Sequence, residues 1–173
     1  MVHSMEKELP TRKCIRLQGH DYSSAGAYFV TICVKDRHEL LGEIVVGDAP
    51  PRVPHCILSE HGIFVEMQIR KISSIYPEAF VDIYTIMPNH VHMIVSITGT
   101  DIGRTHRGAS PTRAALPRIV QSLKSITTKQ FGLGIWQRSY HDHIIRDDAD
   151  YRKIWQYIDE NPQKWADDCY YTK

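Results

Sequence analysis

Two histidines in the segment MPNHVHMIV are the residues whose type and spacing indicate chemistry most directly. His90 and His92 stand two apart in a run that is otherwise rich in apolar residues. Side chains alternate between the two faces of a β-strand, so both imidazoles project from one face and can chelate a single metal ion. Polar rings in so apolar a strand are costly to bury without partners, which favours a functional pair over two core histidines. The pair alone does not name a reaction, because several metallohydrolases also use it.

A second set of reactive side chains lies near the end of the chain, in DYRKIWQYIDENP. On a helical wheel the apolar stripe contains Tyr151, Ile154, Trp155 and Ile158, which are therefore predicted to be buried. Tyr157 falls about 110° from the centre of that stripe, and Asn161 follows one turn later on the same flank. A phenol can attack phosphorus or an acyl centre, and an amide oxygen can bind a hard cation. The simpler alternative is a surface tyrosine followed by an asparagine that ends the helix before proline.

Charge is segregated along a chain whose total is close to neutral. The 21 Lys and Arg against 20 Asp and Glu give a net charge of +1. Residues 102–146 contain eight basic residues and one acid, a net charge of +7, whereas residues 147–168 carry −4. A basic segment of this density suits phosphate binding, because each neutralised phosphate releases a counterion. A solvated helix face beside a basic loop is the competing interpretation.

Length and composition indicate an ordinary globular protein. At 173 residues, 42% hydrophobic and 24% charged, the chain suits a single domain over residues 1–173. No apolar run is long enough for a transmembrane helix, and the first residues have no secretory apolar region. The four cysteines form no Cys-x-x-Cys pair, so we expect reduced thiols in a cytoplasmic protein.

The pattern of apolar residues predicts an α+β fold, an antiparallel sheet with helices packed mainly on one face. Strands are predicted at 27–34, near 39–46, at 79–87, 90–97 and 135–145. Helices are predicted from a cap at Ser59 to the break at Pro77, at 117–130 and at 148–160. Turn-rich sequence follows the second strand, and residues 98–115 have the composition of a flexible basic linker.

Four blocks of this sequence, taken together, resemble a known family. They are MPNHVH, SLKSITTKQF, IWQRSYHDHIIR and DYRKIWQYIDENPQKW, and their order and spacing are those of the single-tyrosine HUH transposases. The resemblance is to the REP-associated tyrosine transposases in particular, and it extends from about Arg12 to Trp165. The first block alone is only moderately specific, whereas the four together are strongly so.

The resemblance implies a ferredoxin-like α+β fold and the cleavage and rejoining of single-stranded DNA. It implies that His90 and His92 hold a divalent cation, Mg²⁺ or Mn²⁺, and that Asn161 is the third ligand. It also implies that Tyr157 attacks the scissile phosphate, which forms a 5′-phosphotyrosine and frees a 3′-OH. A cation such as Lys153 is expected to assist this phenol, whose ordinary pKa lies near 10.

The implied partner is single-stranded or hairpin DNA, bound by a monomer or a homodimer. Trp136, Tyr140 and His141 are candidates for stacking on unpaired bases, although Trp136 is more typical of a core residue. The basic residues that we expect to contact DNA are Arg118, Lys124, Lys129, Arg138 and Lys153.

Two other functions remain open at the level of sequence. A catalytically retired protein that only binds DNA hairpins would keep the basic residues without needing the nucleophile. A small metal-dependent hydrolase would use water in place of the tyrosine and would form no protein–DNA adduct.

Overall fold

A four-stranded antiparallel sheet forms the centre of the structure, a computed structural model that describes residues 25–47, 53–98 and 115–171. Its strands in chain order are β1 (Gly26–Cys33), β4 (Ala79–Met87), β5 (His90–Ile97) and β6 (His141–Ile145). Their order across the sheet is β4-β5-β1-β6, with every neighbouring pair antiparallel. A separate two-stranded ribbon pairs β2 (Gly42–Val46) with β3 (Pro54–Leu58).

Four α-helices connect and flank these strands. They are α1 (Glu60–Arg70), α2 (Ile72–Ile75), α3 (Ala115–Phe131) and α4 (Asp148–Glu160). Short 3-10 helices cover Lys35–Arg37 and Asn161–Asp167. Along the chain the main sheet therefore has the order β1-α1-β4-β5-α3-β6, which is the ferredoxin-like arrangement. The predicted α+β fold class is confirmed.

One face of the sheet carries most of the hydrophobic core. Alternate residues of β1 and β5, among them Val30 and Met93, are fully buried on this face. Helix α1 contributes Val65 to the same cluster, and α3 contributes Leu116. The Ser59 hydroxyl accepts a hydrogen bond from the Gly62 N–H at 3.2 Å, which confirms the predicted cap of α1.

Helix α4 packs on the opposite face. Its N-cap is Asp147, whose carboxylate accepts a hydrogen bond from the Asp150 N–H at 2.8 Å. Ile154 and Ile158 pack against Ile94 of β5 in a second, smaller core cluster. This face also carries His90 and His92, because they alternate with the residues of the main core. The packing of α4 thus brings the end of the chain over the histidines.

Three details differ from the sequence predictions. Residues 54–58 form β3, which was missed because prolines surround so short an apolar run. The last strand was predicted over 135–145, but β6 covers only His141–Ile145. Trp136, in the earlier part of that range, forms only an isolated bridge with Val34. Trp155 is 39% exposed and not part of the core, and its ring contacts the Tyr151 ring with centroids 5.9 Å apart.

Part of the sequence analysis falls on residues that the structure does not describe. Residues 99–114 of the proposed linker, Cys14 and the start of the resemblance at Arg12 all lie outside the described ranges. Cys33, Cys56 and Cys169 are free thiols. Within residues 25–47, 53–98 and 115–171, no helix combines the length and hydropathy needed to cross a bilayer.

Candidate metal and tyrosine site

The two histidines lie side by side on β5 and are almost completely buried. His90 is 0% exposed and His92 is 1% exposed, and their ring centroids are 4.4 Å apart. Burial lowers the pKa of His90 to about 4 and lowers the pKa of His92 well below its usual value. Both rings are therefore neutral at pH 7, which is the form that binds a metal.

A chain of hydrogen bonds fixes the tautomer of His90. The Asn89 amide donates to the backbone carbonyls of Tyr170 at 2.8 Å and Arg37 at 3.3 Å. Its oxygen must then face His90 Nδ1, at 2.9 Å, and that oxygen can only accept. The proton consequently sits on Nδ1, and the lone pair of His90 Nε2 is left buried without a hydrogen-bond partner.

Thr31 and Tyr157 bracket His92. The Thr31 hydroxyl, on the neighbouring strand β1, is 2.8 Å from His92 Nδ1, and the phenol oxygen of Tyr157 is 3.3 Å from His92 Nε2. The contact with the phenol places the predicted nucleophile directly beside the predicted metal pair. The Thr31 hydroxyl contacts the other ring nitrogen, Nδ1. In many proteins a hydrogen bond to the nitrogen that does not bind the metal orients a metal-binding histidine.

Tyr157 is partly exposed to solvent, and a neighbouring ring fixes the position of its side chain. It is 40% exposed, and its ring packs edge-on against Phe29 with centroids 6.0 Å apart. Burial, and then the nearby Asp168 carboxylate, raise the pKa of Tyr157 to about 12. Lys153, which was expected to assist the phenol, is exposed one turn earlier on α4, and its role stays a prediction.

Asn161 and Asp168 complete the cluster. Asn161 is 2% exposed; its Nδ2 donates to Asp168 at 2.9 Å, and its oxygen is buried without a hydrogen-bond partner. One ligand atom each from His90, His92 and Asp168 lies within 4.8 Å of the other two. Ligands about 2.1 Å from a shared ion stand about 3–4 Å apart, so this group is close to the dimensions of a divalent-cation site.

Sequence reasoning missed three members of this cluster. Asp168 follows Asp167 in an acidic run, and nothing in the sequence separates the two. Asn89 was interpreted only as part of the turn between β4 and β5. Thr31 is a polar residue in an apolar strand, but only the pairing of Thr31 with His92 shows what it contacts.

The predicted DNA-contacting residues do not form one group around this cluster. Arg118 lies 3.8 Å from Glu78 and over the ring of Tyr76, near the end of β5 opposite His90. That strand spans seven residue steps, so Arg118 is roughly 20 Å from the histidines along the sheet.

Lys124 is half-buried, and backbone carbonyls bind its ammonium group. Its ammonium group donates to the carbonyls of Gln137 at 2.9 Å and Ser139 at 2.7 Å, and burial lowers its pKa to about 8. These contacts connect α3 to the segment before β6. Trp136 is likewise a core residue, 8% exposed, whose indole N–H donates to Thr127 at 2.7 Å.

The remaining predicted DNA contacts are exposed. Lys129, Arg138 and Lys153 are all on the surface, and their role in DNA binding stays a prediction. His141 is exposed on edge strand β6, directly opposite Thr31 in the register, and therefore on the face that carries the histidines.

Fold and site together define a class of protein: a ferredoxin-like domain with a His-x-His pair on a central strand and a tyrosine on the last helix. Comparison with solved structures finds a REP-associated tyrosine transposase bound to a REP hairpin. It shares 22% identity over 82% of this chain and 68% of that chain, with a TM-score of 0.55, and so supports the fold. No protein-family model matches.

Two relatives come from Haemophilus influenzae strain Rd. One, described only as an uncharacterised protein, is 32% identical over 93% of each chain. The other, described as a REP-associated tyrosine transposase, is 28% identical over 83% of this chain and 74% of its own. The sequence of this chain is therefore similar to that of a protein described as a REP-associated tyrosine transposase, and its fold is similar to that of another.

Proposed function

We propose that this protein cleaves and rejoins single-stranded DNA through Tyr157, with Mg²⁺ or Mn²⁺ held by His90, His92 and Asn161. The observation that carries the proposal is the 3.3 Å contact between the phenol oxygen and His92 Nε2. A nucleophile beside a metal ligand can reach a phosphate bound to that metal without rearrangement of the fold.

The residues present fit a hard divalent cation. His90 Nε2 and the Asn161 oxygen are buried polar atoms without hydrogen-bond partners, a costly arrangement unless a ligand completes it. Both are lone-pair donors of the type that such ions accept. When bound, the cation would polarise a non-bridging phosphate oxygen and stabilise the charge that develops in the transition state.

Tyr157 supplies the covalent step. Its oxygen forms a bond to the scissile phosphorus as the bond from phosphorus to the 3′-oxygen breaks, and the phenol loses its proton as the departing 3′-OH gains one. With a pKa of about 12, the phenol needs positive charge nearby to lose that proton at pH 7, which is consistent with a requirement for metal. The phosphotyrosine conserves the phosphodiester energy, so a 3′-OH can reverse the step.

We further propose hairpin DNA as the substrate. A fold neighbour is a REP-associated tyrosine transposase in complex with a REP hairpin. The net charge of +7 over residues 102–146 provides cations for backbone phosphates. Exposed Lys129 and Arg138 belong to this segment.

The test uses single-stranded hairpins from the DNA around the gene, labelled at the 3′ end, with Mn²⁺ or Mg²⁺. Because the protein would be joined to a 5′-phosphate, the label should migrate with wild-type protein on a denaturing gel. Tyr157→Phe should form no adduct. Tyr151→Phe is the matched control, because Tyr151 lies on the same helix and bonds instead to Asp82 at 2.9 Å.

Other outcomes would select the other functions. Hairpin binding with intact DNA in every sample would indicate a catalytically retired DNA-binding protein. Cleavage to a free 5′-phosphate, equal in wild type and Tyr157→Phe, would indicate a hydrolase that uses water. Either result would overturn the tyrosine mechanism.

A further inference from the structure

Asp168 is the common partner of the two functional residues at the end of α4. Its Oδ2 accepts from Asn161 Nδ2 at 2.9 Å and lies 3.5 Å from the Tyr157 hydroxyl. Its Oδ1 accepts from the Tyr170 N–H at 2.7 Å. Three donors therefore converge on one carboxylate, in a segment that follows the helix and is not part of the four sequence blocks.

The contact with Asn161 decides which end of the amide is available. An amide carries a donor at one end and an acceptor at the other, and the two orientations occupy almost the same volume. An ionised carboxylate can only accept, so it bonds to Nδ2 and repels Oδ1. The orientation seen here leaves the Asn161 oxygen buried and unpartnered, free to bind an ion. The reverse orientation would offer the ion an NH₂ group, which cannot act as a ligand.

We propose that Asp168 is a positioning residue that holds the Asn161 amide in its metal-binding orientation. This inference rests on the proposed function, since it assumes that Asn161 ligates the cation. It assigns to Asp168 an indirect role, although its ligand atom lies within 4.8 Å of those of His90 and His92.

The distribution of hydrogen bonds favours this role over direct ligation. Both carboxylate oxygens of Asp168 accept hydrogen bonds, which leaves each with one further lone pair, whereas His90 Nε2 and the Asn161 oxygen are buried with no hydrogen-bond partner at all. Outer groups that orient a ligand typically change metal affinity by about 10- to 100-fold when they are removed. The geometry therefore predicts a large effect of Asp168 on metal binding that depends on Asn161.

The experiment measures Mn²⁺ affinity of the full chain by electron paramagnetic resonance of the free ion, without DNA. Four variants are compared with wild type: Asp168→Ala, Asp168→Asn, Asn161→Ala and the Asn161→Ala/Asp168→Ala double variant. Asp168→Ala should bind about 10- to 100-fold more weakly. Asp168→Asn keeps an acceptor oxygen for Asn161 and should lose less than about tenfold by the same scale. In the Asn161→Ala background, Asp168→Ala should add little further loss, because its effect passes through Asn161.

Asp167→Ala is the matched control, since it removes the same charge from the exposed neighbouring residue. Circular dichroism of each metal-free variant establishes that it is folded. Equal affinity in wild type and Asp168→Ala would overturn this inference and leave the proposed function intact. Additive losses in the double variant, or an Asp168→Asn as weak as Asp168→Ala, would show that Asp168 is itself a ligand. Absence of Mn²⁺ binding by wild type would overturn the proposed metal site and this inference together.

Discussion

The site consists of two halves that are built in different ways. The histidine half comprises His90 and His92 with their partners Asn89 and Thr31. All four residues are at most 2% exposed and belong to the central strands or to the turn that begins β5. The tyrosine half comprises Tyr157, Asn161 and Asp168, on α4 and the segment after it. Tyr157 in that half is 40% exposed.

The two halves also differ in how they are attached to the rest of the fold. The two histidines are held in place by the same strand pairing that forms the core. The Asn89 amide beside them also donates to the Tyr170 carbonyl, in the segment after α4. The tyrosine half is joined to the sheet through a small cluster of Ile94, Ile154 and Ile158 and through single hydrogen bonds. Regions with few buried apolar contacts open most readily, so the tyrosine half should be the less stable of the two. That accessibility suits the proposed role of Tyr157, whose phenol would have to reach a phosphate of the DNA.

The largest effect on metal binding is expected from removing a histidine. Mn²⁺ at about 100 times its Kd should stabilise wild type by about 2.7 kcal/mol, seen as a rise in Tm. His90→Ala should show no such rise relative to its own metal-free protein, because the buried Nε2 ligand is gone. His55→Ala, at an exposed position on β3, should respond like wild type. Equal melting shifts in wild type and His90→Ala would contradict the assigned metal pair.

The tyrosine half can be weakened separately. Ile158, on the buried face of α4, is 0% exposed. Ile158→Ala should lower the free energy of unfolding by about 2–5 kcal/mol. Trp155→Ala on the same helix, at a residue 39% exposed, should cost clearly less. Urea denaturation measures both. Amide hydrogen exchange should show the loss of protection concentrated in α4, whereas equal loss in β5 would mean that the halves are not separable.

A smaller effect should follow from the partner of His92. Thr31→Val removes the hydroxyl that contacts His92 Nδ1, and we expect Mn²⁺ affinity to fall by about 10- to 100-fold with little loss of structure. Thr85→Val is the matched control, because Thr85 pairs with His92 from the other side, on β4, and its hydroxyl contacts Met87 instead. Equal affinities for the two variants would show that Thr31 does not orient the ring.

The smallest effect is expected on the stability of the protein in acid. Because the pKa of His90 is lowered to about 4 in the folded protein, the unfolded chain binds a proton more readily between about pH 6.5 and 4. Stability should therefore be fully present above pH 6.5 and fall as the pH drops through this window. Melting temperatures across the window should decline less steeply for His90→Gln than for wild type or His55→Gln. An unchanged slope in His90→Gln would contradict a buried neutral His90.

Sequence patterns predicted two residues of each half, but not the residues that hydrogen-bond to them. Period-two spacing placed His90 and His92 on one face, and the structure brings Tyr157 and Asn161 to them. The catalytic and ligand roles of all four stay predictions. Asp168 could not be found, because its position depends on how the chain turns after α4 and not on any periodic pattern. Lys124 was grouped with the surface cations, since sequence does not show the carbonyls that surround it.

The measurement that tests the central claim most directly is the anomalous diffraction of crystals grown with Mn²⁺. The account predicts a single strong peak within about 2.0–2.3 Å of His90 Nε2, His92 Nε2 and the Asn161 oxygen, with the Tyr157 phenol beside it. A peak at another position, or crystals saturated with Mn²⁺ that show none between these side chains, would contradict the claim that the two halves meet at one metal ion.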